Sequence, residues 1–131
     1  MCLAGASGAG AELLRALPRA ELRAYFVWVP MLPGDSEEAA ARAAARFAET
    51  RAAHYWDGER QLSRNLGERL GVPAAWDVYL AYPVGAAAIG EPAFWMHQLP
   101  AVTAAPRLDT AEWRGNVEGL LGPEIERKVG G

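Results

Sequence analysis

The chain carries one cysteine, Cys2, one lysine, Lys128, and two histidines, His54 and His97. A single cysteine excludes an internal disulfide framework and a four-cysteine zinc site. The histidines stand too far apart to form a helical ligand pair. Together with Cys2, Asp57 and Asp77 they match no known ligand spacing, so no metal site is expected. Basic blocks are also missing. With 13 Lys and Arg against 16 Asp and Glu the formal charge is −3, which disfavours nucleic acid as the main partner, because phosphate binding needs clustered cations. No run reaches the roughly 18 apolar residues of a membrane span. The first residues, MCLAGASGAGAELL, lack the basic start and apolar centre of a secretory signal, so the expected location is cytoplasmic, with no membrane partner. Gly5, Gly8 and Gly10 do not spell the dinucleotide fingerprint, and no cofactor is expected.

What is present is enough for one modest core: 131 residues, 51% of them hydrophobic and 22% charged, fit one domain over residues 1–122 followed by a tail over 123–131. Leu13, Leu14 and Leu17 recur at helical spacing until Pro18, which should end a first helix near Leu17. YFVWVPML, residues 25–32, has no polar alternation and reads as a strand over 25–31 buried on both faces. Asp35 stands three residues before Glu38, a capping-box spacing that opens an alanine-rich helix to Glu49. AAHYWD, residues 52–57, reads as a short strand. Asp57 then caps a helix with Leu62, Leu66 and Leu70 along one face, closed by Gly71 and Pro73. WDVYLAY (76–82), Pro83-Val84-Gly85 and AAAIG (86–90) read as strand, turn and strand, an antiparallel hairpin. The proline-bearing stretch 91–109 reads as loop. Asp109 or Thr110 opens a last helix through Leu121, with Trp113 and Val117 inward and Gly122-Pro123 as its stop.

This order of elements, with a cysteine just before the first helix, resembles the thioredoxin-like superfamily. The best local likeness is DGERQLSRNLGERLGVP (57–73) leading into the strand, the turn at Gly85 and a second strand. The resemblance implies an α/β fold: a thioredoxin-like sandwich, with a mixed sheet, a C-terminal β-hairpin and flanking helices. It implies a relation to thiol-disulfide oxidoreductases. Cys2 falls on the second cysteine of the family's Cys-x-x-Cys, and Pro73 falls near its cis-proline. The family's first strand and first cysteine have no counterpart in these residues, so the resemblance is to an N-terminally shortened member that does not exchange an internal dithiol. Residues 25–31 and 76–82 are then expected to share one sheet, either pairing directly or presenting unpaired edges to another chain.

Two groups of residues are candidates for chemistry or binding. Cys2 at a helix start would have its thiolate stabilised by the helix dipole; the plainer reading is an unpaired thiol at a chain end. An aromatic and acidic set, Trp28, His54, Trp56, Asp57, Trp76, Asp77, Trp95 and His97, could wall a pocket with a histidine as acid or base. Against this, tryptophans most often bury area, Asp57 is explained as a cap, and a histidine can simply satisfy a carbonyl. Asp77 is the hardest to dismiss, being an acid inside an apolar run. Two functions follow. One is a thioredoxin-like relative of thiol oxidoreductases acting on a thiol-containing protein partner. The other is a non-catalytic module of the same fold that binds a ligand or partner through a Trp-rich surface, with self-association into a homo-oligomer expected from either.

Overall fold

The computed structural model describes residues 5–86 and 91–122, and the chain there is mixed α/β with two small sheets. The first helix, α1, begins as a wide π-helical turn over Ala6–Ala11 and continues as an α-helix over Glu12–Ala16. Pro18 stops it as expected, since proline brings no amide hydrogen and crowds the preceding turn. Strand β1 (Ala24–Trp28) ends two residues before Pro30 and pairs in parallel with β2 (Ala52–Trp56), Phe26 opposite His54 and Trp28 opposite Trp56.

Between them lies α2 (Glu37–Arg46), capped by Ser36, whose hydroxyl accepts from the Ala39 amide at 3.1 Å. The cap expected at Asp35 is therefore taken by Ser36, and with alanine at position 39 the reciprocal bond of a capping box is not made. Asp35 turns back, and one of its carboxylate oxygens accepts from the amides of Met31 at 3.0 Å and Leu32 at 2.9 Å.

Helix α3 (Gln61–Leu70) is held at its start by Asp57, which accepts from the Ser63 amide at 2.9 Å and the Leu62 amide at 3.4 Å. It ends at Gly71, whose φ of +74° is the left-handed geometry that glycine adopts without strain. Strand β3 (Val78–Ala81) leads to a turn in which the Ala86 amide donates to the Pro83 carbonyl. Residues 87–90 of the expected second hairpin strand lie outside the described residues. The antiparallel partner of β3 is β4 (Phe94–His97), inside the stretch expected to be loop. The prolines that argued for a loop, Pro92, Pro100 and Pro106, flank this short apolar strand and leave its ladder intact. Helix α4 (Thr110–Leu121) starts on Asp109, which accepts from the Glu112 amide at 3.0 Å, and stops at Gly122, as its sequence signals indicate.

The shared sheet is not formed: among the described residues β1 pairs only with β2, and β3 only with β4. Two apolar clusters match the two sheets. Leu13, Leu17, Ala81, Met96, Trp113 and Val117 pack between α1, the β3–β4 sheet and α4. Trp28, Ala40 and Ala43 pack α2 against β1, joined by Ala6, Phe26, Phe47 and Trp56. Helix α1 serves both clusters. Its Gly10 lies so close to the Phe26 ring that a Cβ there would come within 2.5 Å, and its Ala9 carbonyl accepts from Trp113 Nε1 at 2.8 Å.

Candidate functional site

The structure divides the aromatic and acidic set between the two sheets: Trp28, His54, Trp56 and Asp57 lie on or beside β1–β2, and Trp76, Asp77, Trp95 and His97 on or beside β3–β4. On the inner face of the β1–β2 sheet the indole of Trp28, 7% exposed, donates from Nε1 to His54 Nδ1 at 3.1 Å and lies parallel to the imidazole with ring centres 6.1 Å apart. Because Nδ1 accepts, the ring proton sits on Nε2, which faces the Phe47 carbonyl at 3.3 Å. Phe26 closes edge-on over the same imidazole at 4.7 Å. Both nitrogens of His54 are thus engaged in structural bonds, and neither faces Asp57, whose carboxylate caps α3. The adjacency of His54 and Asp57 in sequence does not become an acid–base pair. Trp56 packs in the same cluster.

His97 repeats the arrangement on β4. It is 0% exposed, its Nδ1 accepts from the Leu99 amide at 3.0 Å, and its Nε2 donates to the Ala105 carbonyl at 2.9 Å. With the main-chain bonds from His97 to Pro106 and from Leu108 to His97, the ring fastens the 98–108 segment against the strand. Buried polar groups demand such partners, and here the partners are local carbonyls and amides.

Trp95 is half-buried and walls a shallow groove of about 190 Å³ with Leu66, Arg69, Leu70, Glu91 and Pro92. Trp76 is half-buried at the approach to β3. Asp77 adopts φ +51°, a left-handed conformation that aspartate tolerates better than most residues. Its carbonyl accepts from the Gln98 amide at 2.9 Å, and among the described residues its carboxylate has no hydrogen-bond partner. Pro73 is exposed, and no cis peptide bond occurs among the described residues. Cys2 lies outside the described residues. The eight aromatic, histidine and acidic candidates form no single site, and among the described residues no group of three His, Cys, Asp or Glu is placed to hold a metal.

Sequence reasoning missed two features. One is a pair of arginine clamps. Arg51 donates to the carbonyls of Leu14 at 2.6 Å, Leu17 at 2.6 Å and Arg19 at 3.1 Å while pairing with Glu49 at 2.7 Å. Arg19, itself paired with Glu21, donates to the Gly122 carbonyl at 2.8 Å. The C-terminal ends of α1 and α4 are thereby satisfied by side chains from elsewhere in the chain.

The other feature is the outer face of the β1–β2 sheet. The unalternated run at 25–31 suggested burial on both faces, but Tyr25 is 66% exposed and Tyr55 54% exposed, and the two rings stack with centres 6.3 Å apart. One tyrosine on the outward-facing register of each strand, Tyr25 and Tyr55, was the available signal, since its hydroxyl suits a wet face.

The same strand has an open edge. The Ala24 amide donates to Arg51 and the Trp28 carbonyl accepts from Asp57, which fixes the ladder phase. Ala24, Phe26 and Trp28 point their main-chain groups toward β2, and Tyr25 and Val27 point theirs away. No hydrogen bond joins the main chain of Tyr25 or Val27 to another described residue.

No protein-family model, no curated protein and no solved structure matches this chain. Among the described residues no helix is long and apolar enough to cross a membrane.

Proposed function

We propose that the chain is a non-catalytic α/β interaction module of the thioredoxin-like kind that its sequence resembles, working in the cytoplasm, where a lone thiol stays reduced. One observation carries this reading. The two histidines and Asp57 are tied into packing and a cap, whereas among the described residues a strand edge and two stacked, exposed tyrosines stand free, with Asp77 the one candidate acid left unbonded. The contact surface is therefore that edge and its Tyr25–Tyr55 face; the tryptophans serve mainly as core. Reduction of insulin disulfides by dithiothreitol tests the reading. The chain should accelerate it no more than its Cys2→Ser variant does, because a mixed disulfide at Cys2 has no second thiol in these residues to resolve it. Turnover that disappears in Cys2→Ser would return the protein to the thiol-disulfide oxidoreductases, with a thiol-bearing protein as substrate.

A further inference from the structure

Resting on the interaction-module reading, we propose that the partner of the β1 edge is β1 of a second copy of this chain, paired antiparallel about a two-fold axis at Phe26. The outward residues, Tyr25 and Val27, lie one on either side of Phe26. A two-fold axis there sets Tyr25 of one copy opposite Val27 of the other, and Val27 opposite Tyr25. Each pair exchanges both amide and carbonyl, giving roughly four main-chain hydrogen bonds, with the two Phe26 residues facing each other as the unbonded pair between them. The edge is thus complementary to itself.

Charge agrees with this geometry. From Ala24 to Val29 the strand bears no charged side chain, so the axis brings no like charges together. The nearest, Arg23, lands opposite Val29, with the two arginines at opposite ends of the paired strands.

Both sheets gain from the union. A two-stranded sheet is marginal alone, and the pairing makes four strands in the order β2, β1, β1, β2. On its outer face each Val27 lies between Tyr55 of its own copy and Tyr25 of the other, which joins the two Tyr25–Tyr55 stacks into one continuous strip. A parallel pair exposed on one face is unusual, because such sheets are ordinarily covered on both; this strip is the face left to cover.

Sedimentation of the 131-residue chain decides the question, with two variants that act differently. Val27→Pro removes the outward amide without touching the ladder to β2. Tyr25→Lys leaves the backbone alone and places a cation on the edge, a common natural guard against strand addition. The wild-type chain should sediment as a dimer that dissociates on dilution. Each variant should raise the dissociation constant by about tenfold or more while keeping its circular dichroism. A wild-type monomer up to the solubility limit would overturn the proposal and leave the edge to a strand of another protein. A dimer unaffected by Tyr25→Lys in a folded variant would overturn it too, by placing the interface elsewhere. Neither result touches the non-catalytic reading, which fails only on Cys2-dependent turnover.

Discussion

At the scale of single residues, the sequence carries the type of each candidate but not its partner. Asp57 as a cap was legible because its target lies a few residues ahead. The bond between Trp28 and His54 spans 26 positions, and nothing local announces it. The carboxylates show how far such partners govern stability. Burial pushes the Asp35 carboxyl up, but the group sits below its usual range, with the amides of Leu32 and Met31 among the partners that lower it. The Arg51 side chain bonded to exposed Glu49 lowers that carboxyl as well. A carboxyl lowered in the folded state favours folding fully above its unfolded value, near pH 4, and that contribution is lost as pH falls through the lower folded value. Urea midpoints should therefore drop as the chain is acidified from neutrality to about pH 3. The double variant Asp35→Asn, Glu49→Gln should start lower and fall less steeply. An equally steep fall in the double variant would show that other groups set the acid limb.

At the scale of elements, helix ends were the best-read features. Pro18, Gly71 and Gly122 act within the backbone next to them, so their effects survive any tertiary context. Strands fared less well, because pairing is decided at a distance: β4 was hidden by its flanking prolines, and the one-sided exposure of β1 by its uninterrupted apolar run. The arginine clamps were not legible at all, since an arginine that caps a distant helix reads like any surface cation. Arg51 reaches three carbonyls at the end of α1, and a charged donor lost from partly buried acceptors costs about 1.5–3 kcal/mol. Arg51→Ala should therefore lower unfolding free energy by about 2 kcal/mol in urea titrations. Arg51→Lys should recover less than half, because an ammonium cannot fork across three acceptors. Full recovery by lysine would reduce the clamp to simple charge attraction toward Glu49.

At the scale of the whole molecule, the α/β class and the order of elements were readable from hydropathy period and punctuation, while the division into two sheets was not. Residues 25–31 and 76–82 both have strand composition, and composition does not say whether two strands meet. In the folded chain they do not: among the described residues each sheet has two strands, so β1 and β3 each have one side without a strand partner, and α1 joins the halves by packing on Phe26 of one and the Trp113 cluster of the other. An edge with no partner among the described residues, beside an exposed aromatic face, offers a row of amides and carbonyls to which a further strand can add.

Residue-resolved amide hydrogen exchange on the intact chain measures this most directly. In dilute solution the amides of Ala24, Phe26 and Trp28 should be protected by β2, while those of Tyr25 and Val27 exchange freely; on concentration, Tyr25 and Val27 should become protected as well. Tyr25 and Val27 amides protected from the outset at the lowest concentration, or free at every concentration, would contradict the account.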